Sequence, residues 1–318
     1  MLNKNFNEFL ISYQQHHSPV DAFKLTNENF IEHEKLFLAT LGIGLFETYH
    51  FLYSECRDAE HFREWLIQSK GEVVLKAAEI RFNQNDLNVK GKLNNVLSIT
   101  QLEFWKENGF IKISGLVADE DCDAVTKFIC NTLGVNLSNS ATWYPKHQLL
   151  QGLMLQLYQD KVLSKIRKNI SIRKVFSDLY KSKNIIANCD KVSYNPPVSD
   201  SFKFMGSPLH WDINFDQMPG YYIQGLVYLN DVPENRGPIQ LIPGFHSYFD
   251  QFINEYGSPV AAIESLHDAN IAQPVTGQKG DLILWLNTIP HAATANHSDL
   301  PRFVQYVSYY LSNQANRD

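Results

Sequence analysis

Between Asn27 and Phe82, apolar residues recur three or four positions apart, as in Phe30, Phe37, Leu41 and Leu45 and again in Phe62, Trp65 and Leu66, with no proline among them. That is the period of a helix with one buried face, so the spacing predicts a helical region. The asparagine-rich text FNQNDLNVKGKLNN that follows predicts a linker or surface loop. Thr100-Gln-Leu-Glu103 has the capping-box pattern, a hydroxyl followed three residues on by a glutamate, and predicts a helix ending near Asn108-Gly109. GFIKISGLV then predicts a short strand, and Asp119 opens a second helix, DEDCDAVTKFICNTL.

Beyond about residue 185 the texture changes to that of strands. NIIANCDKVSY, YYIQGLVYLNDV, GPIQLIPG, GDLILWLN and RFVQYVSYYLS place β-branched and aromatic residues between Pro, Gly, Asn and Asp punctuation. Helices followed by this many short strands predict a mainly β fold with flanking helices, a double-sheet jelly roll.

Composition narrows the class without naming a chemistry. The 318 residues are 44% hydrophobic and 13% aromatic with a net charge of −6, enough apolar material for a large core and too much for a disordered chain. The acidic balance argues against broad nucleic-acid binding. The most apolar stretch, Phe37 to Phe46, is half the roughly 20 residues of a membrane span. The first residues lack the basic and apolar regions of a secretion signal. Four widely spaced cysteines, Cys56, Cys122, Cys130 and Cys189, form no CxxC pair and suit reduced thiols in a cytoplasmic protein.

Candidate chemistry begins at His210-Trp211-Asp212. On an extended strand, residues two apart face the same way, so an imidazole and a carboxylate reach one cation. A lone pair of this kind is common by chance, but His291 follows 79 residues after Asp212, at the end of the apolar run GDLILWLNTIP. Together the three make a 2-His-1-carboxylate facial set, the signature of non-haem Fe(II) oxygenases. Arg302 lies eleven residues beyond His291, and its planar guanidinium suits the distal carboxylate of a 2-oxo acid. Alone it would suggest only a surface ion pair.

With these landmarks the chain resembles the phytanoyl-CoA dioxygenase (PhyH) family of Fe(II)/2-oxoglutarate oxygenases. The resemblance runs from about Leu97 to Leu311. It rests on ITQLEFWKENGFIKISGLVADEDCDAV, PLHWDINF, LNDVPENRGPIQLIPGFH and GDLILWLNTIPHAATANHSDLPRF in that order. It implies a double-stranded β-helix (cupin-like jelly roll) over residues 98–318, with residues 1–97 an appended helical region. It implies His210, Asp212 and His291 as iron ligands, and Arg302 as the anchor of the 2-oxoglutarate C5 carboxylate. With O2 as second cosubstrate, the implied reaction couples decarboxylation to succinate and CO2 with C–H hydroxylation. Asp212 fills the site that related halogenases leave for chloride, which favours hydroxylation.

One position departs from the family pattern: Ala293 stands where members often carry a serine that assists the C5 carboxylate. If KVSY enters the barrel as in the family it resembles, strand parity turns Ser193 and Lys191 inward and Tyr194 outward, and on YYIQGLVYL it sets Gln224, Leu226 and Tyr222 on the inward face. Ser193 and Gln224 are therefore candidate cosubstrate or substrate contacts, an internal strand-to-strand hydrogen bond being the plainer alternative. Trp211 is expected to pack away from the metal, and His246 to be a hydrogen-bonded structural histidine. Gly237-Pro238 and Pro243-Gly244 are expected to shape turns. Cationic residues between 161 and 183 (Lys161, Lys165, Arg167, Lys168, Arg173, Lys174, Lys181, Lys183) face a single acid, Asp178, and predict a solvated helix face. Their functional alternative is a handle for a CoA phosphate or a carrier protein.

The resulting expectation is a cytoplasmic hydroxylase of a small molecule, an amino acid or natural-product intermediate. It binds neither nucleic acid nor membrane, and a carrier-protein partner or a homodimer stays open. An acyl-CoA or carrier-bound substrate is the alternative, and a catalytically silent ligand-binding member is the rival of another class. Residues 1–97 hold 10 basic and 13 acidic residues, which suits a covering layer or an entrance lid better than an electrostatic tail.

Overall fold

A computed structural model describes residues 5–18, 28–83, 95–215 and 220–311. The chain divides into two compact units. The first takes in Met1–Leu93, Tyr180–Cys189 and Tyr310–Asp318; the second takes in Asn94–Leu179 and Asp190–Tyr309. The expected linker at 82–95 falls mostly outside the described residues.

The first unit is built on α1 (Phe6–His16), α2 (Glu28–Leu41), α3 (Leu45–Ser54), α4 (Ala59–Lys70) and α5 (Glu72–Asn83). Helix α1 begins ahead of the region where periodicity predicted helix. Asn5 and Glu8 cap it reciprocally, and Phe6, Phe9, Leu10 and Tyr13 form its buried stripe. The core is aromatic: Phe6 meets Phe37 at 5.0 Å between ring centroids, and Phe51 stacks on Trp65 at 4.5 Å. The Asn83 side chain accepts a 2.7 Å hydrogen bond from Phe6 N–H, tying the end of α5 to the start of α1.

The second unit opens with α6 (Ile99–Asn108), β1 (Phe110–Ile113) and α7 (Asp119–Leu133). The capping box of α6 lies two residues before the predicted one. Ser98 accepts from Gln101 N–H and Gln101 from Ser98 N–H, which leaves Thr100 inside the first turn. Next come β2 (Leu150–Gln151), β3 (Met154–Leu155), α8 (Lys161–Arg167) and α9 (Ile170–Tyr180), and then β4 (Ile185–Ala187), which belongs to the first unit. They are followed by β5 (Val192–Asn195), β6 (Ile223–Tyr228), β7 (Ile239–Leu241), α10 (Phe249–Tyr256), α11 (Pro259–Ala269) and β8 (Gln273–Val275). The chain closes with β9 (Leu282–Leu286), β10 (His291–Ala293), β11 (Arg302–Tyr306) and β12 (Tyr309–Leu311).

Two antiparallel sheets result, consistent with the mainly β expectation. The larger runs β1-β9-β6-β11-β5-β3-β2 and the smaller β10-β7-β8. Bonds from Tyr228 join them: its hydroxyl donates to Val275 O and accepts from Ile239 N–H. The register sets Gln224 opposite Trp285 and Leu226 opposite Ile283, and it sets Val304 opposite both Ser193 and Tyr228. These residues line the face of the larger sheet that looks toward the smaller one. Tyr194 points the other way, its hydroxyl donating to Trp143 O, as parity predicted.

Two sequence expectations change. NIIANCDKVSY and RFVQYVSYYLS are each broken into two strands rather than one. The basic run is two helices, and it is not simply a solvated face. Arg167 is buried, donating to the carbonyls of Tyr158 and Asp190, and Lys165 pairs with Asp121. Among the described residues, no single helix is long and apolar enough to cross a membrane.

Candidate active site

His291 is the first residue of β10, and its main chain exchanges two 3.0 Å hydrogen bonds with that of His210. This isolated antiparallel bridge sets the two imidazoles side by side, 4.7 Å between centroids. The extended pairing at His210-x-Asp212 is confined to that one bridge residue, yet it suffices to bring Asp212 to the same place. Its Oδ1 lies 3.6 Å from His210 Nε2 and its Oδ2 3.5 Å from His291 Nε2. Ligand atoms of the three residues lie within 4.8 Å of one another, the only such His/Cys/Asp/Glu group among the described residues.

Each histidine has its other nitrogen tied down. His210 Nδ1 donates to Pro208 O at 2.8 Å and His291 Nδ1 to Ile289 O at 3.2 Å. A carbonyl can only accept, so these bonds place a proton on Nδ1 and leave Nε2 of each ring facing Asp212. The neighbours of Asp212 stabilise its charge. The His291 imidazole, with smaller help from Gln224 and His210, holds the Asp212 carboxyl well below the usual carboxylate range against the opposing effect of burial. Burial, and then the neighbouring His291, pushes His210 down. The Asp212 carboxylate and the two Nε2 atoms are the groups that would donate to a cation.

Gln224 belongs with this trio rather than with Arg302. Its Nε2 donates to Asp212 Oδ2 at 2.7 Å, and its Oε1 accepts from Trp285 Nε1 at 3.1 Å. Trp285 also packs on His291, 5.1 Å between centroids. Trp211 turns outward, donates from Nε1 to Thr288 O and enters an aromatic cluster with Phe215, Phe245 and Phe249. His246 is bonded to Lys106 O, and His267 to Leu209 O just before His210. Sequence reasoning missed His267 and Trp285, because neither carries a local motif.

Arg302 opens β11 and is 1% exposed. One terminal nitrogen donates to Gly237 O and the other to Ser193 Oγ at 3.3 Å, while Nε–H is buried with no partner. Among the described residues it forms no ion pair. A buried guanidinium with only neutral acceptors and an N–H to spare is a site for an anion. Gly237 owes its place to backbone geometry: φ is +65°, and a Cβ there would sit 2.6 Å from Thr294 O. Tyr306 shares the inward face with Arg302 and Val304; burial pushes its phenol up, and Arg302 opposes that shift. The H-x4-N-x-S-x2-P-R spacing also has a structural side. The Asn296 amide donates to Asn195 O and Leu300 O, and Ser298 Oγ donates to Asn296 Oδ1, shaping the turn that delivers Arg302.

With this geometry in place, relatives can be compared. The family profile described as phytanoyl-CoA dioxygenase (PhyH) matches residues 105–304. Ectoine dioxygenase of Bordetella bronchiseptica is 20% identical over 245 residues, covering 69% of this chain and 77% of its own. Bovine peroxisomal phytanoyl-CoA dioxygenase is 23% identical over 225 residues, covering 64% and 66%. Among solved structures, EctD from S. alaskensis with bound Fe aligns over 70% of this chain and 79% of its own, with a TM-score of 0.52 and 17% identity. The epimerase SnoN from nogalamycin biosynthesis aligns over 67% and 82%, with a TM-score of 0.50 and 15% identity. These two share the fold. The profile spans more than half of the sequence and contains His210, Asp212, His291 and Arg302, and so the chain belongs to the phytanoyl-CoA dioxygenase (PhyH) family.

Proposed function

We propose that this dioxygenase is an iron(II)- and 2-oxoglutarate-dependent hydroxylase of a small molecule, with its two facing sheets forming a jelly roll around the site. The observation that carries the proposal is the combination of a convergent His-Asp-His trio with a buried arginine. Two imidazole Nε2 atoms and a carboxylate converge within 4.8 Å of one another, and the buried Arg302 guanidinium is held by neutral acceptors alone, with its Nε–H left over.

The donor set fits iron(II). Two imidazoles and one carboxylate, with both imidazoles oriented through Nδ1, supply three ligands and leave room for others. His210, Asp212 and His291 would hold the metal. Arg302, with Ser193 beside it, would pair with the C5 carboxylate of 2-oxoglutarate. When bound, iron(II) supplies activation of O2, with oxidative decarboxylation of 2-oxoglutarate to succinate and CO2 balancing hydroxylation of a substrate C–H. The protein positions and dries the site. Trp285, Ile283, Leu226 and Tyr228 are all buried on the inward face and shield it from bulk water. Asp212 completes the ligand set and thereby supports hydroxylation over halide transfer.

For the substrate, an amino acid or natural-product intermediate is preferred to an acyl-CoA. The basic run is the obvious phosphate handle, yet Arg167 is buried on backbone carbonyls and Lys165 is paired with Asp121. The test begins with anaerobic Fe(II) and 2-oxoglutarate. A weak visible charge-transfer band is expected in the wild type and absent in His210→Ala. No band with Fe(II) demonstrably bound would sink the cosubstrate assignment. Succinate release and product mass, screened against amino acids, acyl-CoAs and carrier-bound substrates, then identify the substrate class.

A further inference from the structure

Gln224 and Trp285 face each other across the β6–β9 pair, a juxtaposition that only the strand register creates. Three facts give the pair a direction. The indole N–H of Trp285 is a donor only, so the group it meets on Gln224 must be the amide oxygen. The amide is thereby locked with its NH2 pointing away from Trp285, and that NH2 donates to Asp212 Oδ2 at 2.7 Å. Trp285 is 2% exposed, and its ring also packs on His291. A relay thus runs from a rigid indole, through an amide that cannot flip, to the carboxylate of the trio.

Asp212 needs such a support. It lies outside any strand, and its side chain is 55% exposed, whereas His291 is fixed by β10 and by the Ile289 carbonyl. Among the described residues, no main-chain hydrogen bond to its carboxylate substitutes for Gln224. Without the amide, rotation about the Asp212 side chain would carry its oxygens away from the two Nε2 atoms.

We propose that Gln224, oriented by Trp285, is the positioning residue that holds the Asp212 carboxylate ready for the metal and limits it to donation through one oxygen. The inference rests on the metal-site reading above, and it extends that reading to two residues that touch neither cosubstrate nor metal. Losing a partner behind a ligand typically costs 10–100-fold in metal affinity. The effect should therefore appear in metal binding itself, before any turnover.

The probe is Co(II), titrated into the full-length apoprotein, with affinity and the visible ligand-field bands as readouts. Gln224→Met keeps the length of the side chain and removes both hydrogen bonds. Gln224→Glu keeps the acceptor for Trp285 and replaces the donor to Asp212 with a negative charge. Trp285→Phe removes the N–H that orients the amide. The expected result is a roughly 10–100-fold loss of Co(II) affinity in Gln224→Met and Gln224→Glu. Altered band positions should accompany it, with an unchanged apoprotein melting temperature. Trp285→Phe should show a smaller loss in the same direction. Wild-type affinity and bands in Gln224→Met or, where that variant fails to fold, in Gln224→Glu would overturn the proposal while leaving the metal site intact. Failure of the wild type to bind Co(II) or Fe(II) would instead overturn the functional reading, and this inference with it.

Discussion

Among the described residues, two carboxylates sit against histidine, one in the helical unit and one between the sheets, and they differ in what the surrounding donors are doing. Glu34 accepts from Tyr49 OH at 2.8 Å and contacts His17 Nε2 at 3.2 Å, and the second nitrogen of His17 is taken by Tyr53 OH. Every imidazole nitrogen there has a side-chain partner, and the cluster is closed. Asp212 has two imidazoles whose Nδ1 atoms are spent on backbone carbonyls and whose Nε2 atoms stand 3.5 and 3.6 Å away, too long for good hydrogen bonds. The same residue types make a structural knot in one place and a ligand cradle in the other. What distinguishes them is where the second ring nitrogen goes.

The comparison breaks most sharply at His291. In His291→Ala the Co(II) affinity should fall by more than the roughly 10–100-fold that an outer partner costs, as measured by titration. The corresponding change in the closed cluster, His17→Ala, should leave metal binding as in the wild type. Wild-type Co(II) affinity in His291→Ala would show that the open cluster is no ligand site.

Arg302→Leu sharpens the anion half of the site. It should weaken 2-oxoglutarate binding by roughly 10–100-fold, the value of a charge-assisted bond, while Co(II) affinity stays close to that of the wild type. Calorimetry with each ligand in turn checks the split, and parallel losses would indicate general disruption.

The smallest effect concerns Glu34. Burial raises its carboxyl, but hydrogen bonds from His17 and Tyr49 outweigh that, so the folded value lies below the ordinary 4.5. A depressed carboxyl contributes stability that is present above the unfolded value and lost as pH falls through the folded one. The wild type should therefore lose stability below about pH 4.5, and Glu34→Gln should lose less over the same interval. The difference should be about 1–3 kcal/mol, followed by urea unfolding of the apoprotein at a series of pH values. Parallel pH curves for the two proteins would remove Glu34 from the acid response.

The chemistry-bearing residues were legible because the reaction they serve demands particular side chains at particular spacings, as in His210-x-Asp212 and the eleven residues from His291 to Arg302. Strand parity also placed Ser193, Gln224 and Tyr194 on the correct faces. What each inward residue meets depends on register, which no local pattern encodes. Gln224 therefore gave no sign of Trp285, 61 positions away. Helix α1 lies in the region expected to be helical but ahead of the periodic stretch after Asn27, because its apolar stripe is short and stands apart. The capping box moved because Ser98-x-x-Gln101 fits the same pattern as Thr100-x-x-Glu103. Burial of Arg167 depended on carbonyls contributed by Tyr158 and Asp190 on either side of α8 and α9.

The main-chain bridge between His210 and His291 has a consequence for how the chain can vary. Since backbone atoms alone close it, the 80 residues from Trp211 to Pro290 form a loop whose two ends are pinned at the ligands themselves. Closing a flexible loop costs only about 0.6 kcal/mol more for each doubling of its length. Material added in the turn between α10 and α11 would thus be nearly free and would leave the ligand geometry in place. The clasp lets one part of the protein be rewritten while the metal-binding chemistry stays fixed.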